Sequence, residues 1–219
     1  ELAGRLLGLA ERRAARIAAE RGYRDAWLDV FSGSDNRLKR DLLRRRGYAL
    51  VRTVYRMTAD LSAGVPAVVV PEGLEIRPFR LEADERPLYE LMNEAFEDFF
   101  LQSREPFDAW RVRLLGHADF DPGLWWIAWD GEQAVGGLIA YDHGDLGWVK
   151  GLGVRRPWRR RGLGAALLAR ALAAFRERGQ VRVDLGVDAE GATRPLRLYE
   201  RAGLRATSAF ELYTRRLDG

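Results

Sequence analysis

The chain has 219 residues, enough for one large domain or for one full and one partial domain. It contains no Cys, which excludes disulfides, thiolate metal sites and a thiol nucleophile, and its two His, His117 and His143, are too few for a His-based metal cluster. The net charge of +4, with Arg far outnumbering Lys and acids interleaved, favours anionic ligands without demanding nucleic acid. A hydrophobic content of 47% with seven Trp predicts a packed core. No apolar run approaches a membrane span and no signal-peptide pattern opens the chain, and the absence of Cys fits a cytoplasmic protein, which is the expected location. The first residue is Glu1 rather than Met, from which upstream sequence is expected.

Leu2, Leu6, Leu9 and Ile17, with alanines between them, predict an amphipathic helix that ends at Gly22. Ala26 to Phe31 reads as a buried strand, Asp35-Asn36 caps a helix running to Arg46, and Leu50 to Met57 reads as a second strand. Residues 61–73, with Gly64, Pro66, Pro71 and Gly73, read as a linker. A second unit then starts with a strand over Leu74–Phe79, a helix from Glu82 to about Phe100 and another over Phe107–Leu115. A hairpin follows: Leu124–Trp129, a turn at Asp130-Gly131, and Ala134–Tyr141. Leu146–Val154 is the next strand. After it come a helix from Leu163 to Gly179, a strand over Val181–Val187, a short helix from Thr193 to Ala202, and a last strand over Leu204–Leu217. Trp125, Trp126 and Trp129 read as packing residues of the hairpin. Arg44-Arg45-Arg46 reads as an exposed helix end that complements the helix dipole.

The two units share a pattern. Glu20-Arg21-Gly22, followed eight residues on by Val30, matches Glu177-Arg178-Gly179, followed eight on by Val187. Leu42-Leu43 through Gly47-Tyr48 matches Leu198-Tyr199 through Gly203-Leu204. The offset is 157 residues between Glu20 and Glu177 and 156 between Leu43 and Tyr199. This predicts a tandem duplication, with 1–60 the last part of a first copy and 74–219 a complete second copy.

The densest chemical signal is Arg159-Arg160-Arg161-Gly162-Leu163-Gly164-Ala165, placed between an apolar strand and an amphipathic helix. Gly permits close backbone approach, the first N–H groups of a helix lack partners, and the arginines add positive charge. These parts suit a pyrophosphate, and coenzyme A is the leading candidate.

With Arg159-x-x-Gly162-x-Gly164 preceded by Leu152-Gly153-Val154 and followed by Leu198-Tyr199-Glu200-Arg201-x-Gly203, the stretch from Leu74 to Leu217 resembles the GNAT superfamily of acyl-CoA N-acyltransferases. The resemblance implies an α/β (α+β) fold, a mixed and mostly antiparallel sheet flanked by helices, with a partial N-terminal repeat of the same fold. The tandem arrangement is similar to that of mycothiol synthase and its relatives. The implied cosubstrate is acetyl-CoA (or another acyl-CoA), and the implied acceptor a small-molecule or peptide amine, with neither nucleic acid, membrane nor metal involved. Main-chain groups of Leu152 and Val154 would pair with the pantetheine arm. Arg159 and the backbone from Arg160 through Arg161, Gly162, Leu163 and Gly164 to Ala165 would hold the pyrophosphate. Tyr199 stands where the family keeps a general acid for the departing thiolate, and without Cys the amine must attack the thioester directly.

Three positions depart from the family pattern. Gly191 stands where an Asn is common, Trp148 stands where some relatives place a Glu base, and Leu43 replaces the acid in the first copy. Asp142, His143 and Asp145 are candidates for a proton relay, and Glu97 and Asp98 for attraction of a cationic amine. Trp158 is a candidate for packing under the arginines, and Arg159 a candidate for stacking on it. The rival reading is a coenzyme A-binding regulatory or scaffold module without turnover.

Overall fold

The computed structural model describes residues 2–97, 104–188 and 196–217. In chain order these form α1 (Leu2–Glu20), β1 (Ala26–Gly33), α2 (Arg37–Arg45), β2 (Ala49–Asp60), β3 (Glu75–Pro78), α3 (Glu85–Ala95) and α4 (Phe107–Leu115). They continue with β4 (Trp126–Asp130), β5 (Gln133–Asp142), β6 (Gly147–Val154), α5 (Leu163–Glu177), β7 (Arg182–Asp188), α6 (Leu196–Arg201) and β8 (Arg205–Leu217). Two compact units result: residues 1–56, 187–192 and 206–219, and residues 57–186 with 193–205. This partition cuts across the sequence division at 61–73, because most of β8 groups with β1 and β2. Between the strands on either side of that division, Leu61–Ala63 forms a short 3-10 turn capped by Asp60.

In the first unit the strand order is β1-β8-β2, and β8 runs antiparallel to β1 from Ala26 opposite Leu217 to Gly33 opposite Phe210. Its small core is Leu43, Tyr48 and Tyr213, packed with Leu7, Leu28 and Val30. Asn36 caps α2 by accepting the Lys39 N–H. Arg46 is not the free helix end expected from the sequence. Its guanidinium lies 3.2 Å from Glu11 and donates to the Gly4 carbonyl, tying α2 to α1, and the buried Glu11 also meets Arg215 at 3.3 Å.

The two repeated segments close their helices in the same way. Gly22 and Gly179 take positive φ just after α1 and α5, and the next N–H, of Tyr23 or Gln180, reaches back five residues to Ala18 or Phe175. Gly47 and Gly203 do so after α2 and α6, with Tyr48 bonding Leu43 and Leu204 bonding Tyr199. A left-handed glycine that returns the chain to the helix's last carbonyls explains why Gly recurs at these offsets.

In the second unit the order is β7-β6-β5-β4-β3. The pairs β3/β4, β4/β5 and β5/β6 are antiparallel and β6/β7 is parallel, a mixed and mostly antiparallel arrangement. The hairpin turn falls one residue later than expected, at Gly131-Glu132, since Asp130 pairs with Gln133 and Gly131 takes the positive φ. α3 starts three residues later than expected. Glu82 is itself left-handed (φ 66°), and the Glu85 carboxylate accepts its N–H as an N-terminal cap would.

Helices cover both faces of β5 and β6. A Cβ on Gly136 would meet Leu163 and Leu167 of α5, whereas one on Gly137 would meet Leu88 and Leu91 of α3. Trp125 is fully buried, and its indole N–H donates to the Ala140 carbonyl. Among the described residues no helix is long and apolar enough to cross a membrane, and no three His, Asp or Glu are grouped to hold a metal.

A Cβ on Gly153 would stand 2.8 Å from the Ala95 Cβ and 3.2 Å from the Met92 sulfur, so only glycine lets α3 lie this close to β6. Gly153→Ala is therefore expected to destabilise the protein by about 1–3 kcal/mol in urea denaturation, the usual cost of overpacking. A loss under about 0.5 kcal/mol would mean that α3 yields at no cost.

Candidate cofactor site

β6 carries an open edge where the sequence expects the pantetheine arm. The Arg155 N–H donates to the Val135 carbonyl, so the alternation of antiparallel bonds turns Gly153 and Gly151 toward β5. Leu152 and Val154 therefore direct their N–H and C=O to the opposite edge. Among the described residues β7 pairs with β6 only over Gly147–Val149, opposite Val183–Leu185, so no strand pairs with this edge beyond Val149. The phase comes from a β-bulge. Ile139 faces Gly151 and Ala140 faces Val149, leaving Lys150 as an extra residue. Without it Gly151 and Gly153 would address the gap.

The loop after β6 joins this edge to the start of α5. A 3-10 turn over Arg156–Trp158 leads to Arg160, left-handed at φ 61°, and to Gly162 at φ 87°, the residue that caps α5. A Cβ on Gly162 would meet nothing within 4 Å, so glycine is required there by backbone conformation rather than by space within the chain. The Ala166 N–H bonds the Gly162 carbonyl, and the three N–H groups before it, on Leu163, Gly164 and Ala165, lie ahead of the helical ladder. The first turn of α5 holds no acidic residue to balance its positive end.

The loop arginines divide into two groups. Arg159 donates from Nε to the Val154 carbonyl at 2.9 Å and from Nη2 to the Ala95 carbonyl at 3.0 Å. It does not stack on Trp158, whose indole N–H instead donates to Asp130 at 2.9 Å. Arg155 lies 3.3 Å from Glu94 and Arg156 4.0 Å from Glu97. All three side chains thus reach the last turn of α3 or the residues just after it. Arg160 and Arg161 are exposed, at the positive end of α5.

Tyr199 lies on α6, next to Leu198. A Cβ on Gly164 would be 3.4 Å from Leu198 and 3.9 Å from Val154, so the two helix ends and the end of β6 meet closely. The Tyr199 ring is buried, burial pushes its phenol up to about 12, and none of the described residues hydrogen-bonds its hydroxyl. Asp188, at the end of β7, is buried and paired with Arg52 at 3.5 Å.

Other expected participants lie elsewhere. Asp142 accepts from Gln180 and from the Gly144 N–H, and His143 lies 2.6 Å from Asp119, all around the β5–β6 hairpin. Val154 is seven residues along β6 from that end, about 23 Å of strand, so Asp142, His143 and Asp145 lie toward the opposite end of β6 from Val154 and the cofactor loop. Glu97 is engaged by Arg156. Asp98, Gly191 and Thr193 lie outside the described residues. Two contributors escaped sequence reasoning, the Lys150 bulge and the Ala95 carbonyl. The nearby Gly151 and Gly153 were a signal for the first, since glycine inside a strand marks bulges and close approach.

This geometry can be set beside known proteins. A family model described as the acetyltransferase (GNAT) family matches residues 86–204. The chain is 32% identical over 200 residues to the mycothiol acetyltransferase of Geodermatophilus obscurus, covering 82% of this chain and 60% of that protein. It is 33% identical over 194 residues to the mycothiol acetyltransferase of Acidothermus cellulolyticus, covering 80% and 58%. It therefore spans about 60% of the length of these curated relatives. A crystal structure of a GCN5-related N-acetyltransferase from Sphaerobacter thermophilus matches with a TM-score of 0.79 at 31% identity, over 89% of this chain and 61% of that one. A tandem GNAT protein from the clavulanic acid biosynthesis pathway shares the fold, with a TM-score of 0.66 at 16% identity over 93% and 68% of the two chains. The family match runs from α3 through the loop to the end of α6, the same elements that build the open edge, and the chain belongs to the GNAT acetyltransferase family.

Proposed function

We propose that the chain is an acetyl-CoA-dependent N-acetyltransferase that joins an acetyl group to a primary amine by direct attack in a ternary complex. The observation that carries this reading is the β6 edge at Leu152 and Val154, which no strand pairs among the described residues, leading into an arginine-flanked helix start. A pantetheine arm is a linear series of amides, which an open strand edge can pair. A pyrophosphate suits the N–H groups of Leu163, Gly164 and Ala165 together with Arg160 and Arg161. When bound, the cosubstrate supplies an activated thioester.

The chain's own groups then have distinct tasks. An N–H on the Leu152–Val154 edge would polarise the thioester carbonyl as an oxyanion donor. As the amine nitrogen bonds to the carbonyl carbon and the C–S bond breaks, the Tyr199 hydroxyl would give its proton to the sulfur. The proton shed by the amine returns to the phenol through solvent, leaving an amide and free coenzyme A. Burial holds the phenol near 12, so it stays protonated throughout the neutral range but is a weaker acid than a free tyrosine, and its proton moves only as charge builds on the sulfur.

The matched helix–strand–helix–strand series α1-β1-α2-β2 and α5-β7-α6-β8, with paired glycine closures, supports a tandem origin. In that reading the first copy is degenerate, since the buried Leu43 stands where Tyr199 stands in the second. The acceptor is a small-molecule or peptide amine. Because the relatives are named mycothiol acetyltransferase, amines related to mycothiol lead the panel to be tried.

Tyr199→Phe is expected to lower kcat more than tenfold with the best amine of that panel, while the Kd for acetyl-CoA stays within about twofold. Unchanged kcat would remove Tyr199 from the mechanism, and no acetylation of any amine by the parent chain would favour a binding module. A second outcome concerns stability. Tyr141 and Tyr199 are both raised to about 12 in the folded state, against about 10 when unfolded. The stability gained from this difference is complete below about pH 10 and is lost as pH rises toward 12, so Tm should fall over that window. Tyr199→Phe should flatten the fall.

A further inference from the structure

We infer that Arg159 is a positioning residue that clamps the last turn of α3 to the cofactor edge, rather than a phosphate contact. This inference rests on the acetyltransferase reading above. The two donors of Arg159 are directed at main-chain carbonyls of two different elements, Val154 at the end of β6 and Ala95 at the end of α3. The side chain is half-buried, unlike that of Arg160 or Arg161.

The chemistry of the α3 terminus explains the arrangement. The last carbonyls of a helix lack partners within it and carry its negative end. α3 has no basic residue in its last turn, and Glu94 adds negative charge there. Arg155, Arg156 and Arg159 bring cations to this end from the loop, and Arg159 also donates to the Ala95 carbonyl. Gly153 lets the two elements lie at van der Waals distance, and Arg159 bridges them at their ends.

The consequence is mechanical. Val154 presents its N–H to the open edge while Arg159 holds its carbonyl, so the clamp sets the direction of the last peptide before the loop. The same guanidinium fixes where α3 ends beside that edge. Arg159 therefore relates the wall formed by α3 to the thioester position. Phosphate recognition is left to Arg160, Arg161 and the helix start.

Arg159→Lys separates the two roles, because lysine keeps the charge but cannot bridge two carbonyls with a planar fork. Three readouts decide: coenzyme A affinity by calorimetry, hydrogen exchange of the 86–97 peptide, and steady-state kinetics with an accepted amine. The clamp predicts a coenzyme A Kd within threefold of the parent, exchange in 86–97 accelerated at least fivefold, and kcat down at least tenfold with the KM for acetyl-CoA nearly constant. A tenfold loss of coenzyme A affinity assigns the guanidinium to the phosphates and overturns the inference. Unchanged exchange in 86–97 overturns it as well. If no amine is accepted, the acetyltransferase reading fails by itself, and the affinity and exchange readouts still decide the clamp.

Discussion

The positive end of α5 has positive charge placed against it. Arg160 and Arg161 precede a helix whose first turn has no acid, so the macrodipole and the side chains repel one another. Such an arrangement is unfavourable in the protein alone and becomes favourable when an anion lies between them. Arg155, Arg156 and Arg159 escape the conflict by turning to the negative end of α3. The local fold thus sorts five arginines between two helix ends of opposite sign. One set is satisfied internally, and on the proposed reading the other set meets the phosphates of the cosubstrate.

A second constraint acts on the backbone. The single extra residue at Lys150 changes which peptides of β6 address the edge left open beyond the β7 pairing. This is why Leu152 and Val154 face the gap, while Gly151 and Gly153 face β5 and keep α3 close. The edge, the start of α5 and α6 approach one another where the residues are small. Gly164 brings α5 against Leu198, the neighbour of Tyr199, and Gly153 brings α3 against the strand. Side-chain identity along β6 matters less than which way its peptides point.

Much of this was legible from particular residues. The strand–loop–helix series around Arg159 to Ala165 was readable because glycine and a polar break separate two apolar patterns of different period. The repeated closures at Gly22, Gly47, Gly179 and Gly203 were readable because a left-handed residue is nearly always glycine. Hidden features depended on partners distant in sequence. Nothing local to Arg159 announces a bond to Ala95, 64 residues earlier, and nothing local to Asp119 announces His143. The start of α3 was misplaced because Glu82 adopts a left-handed conformation that its residue type disfavours. The place of β8 beside β1 is likewise a tertiary choice that its sequence pattern does not encode.

Calorimetric titration of the chain with acetyl-CoA, with ATP and desulfo-coenzyme A as comparison ligands, tests the central claim most directly. The account predicts one site that binds acetyl-CoA and desulfo-coenzyme A more tightly than ATP, because on this reading the strand edge would recognise the pantetheine amides and the loop only the phosphates. Affinity should weaken as salt rises, reflecting Arg160 and Arg161. Equal binding of ATP and acetyl-CoA, or no binding of either, would contradict the account.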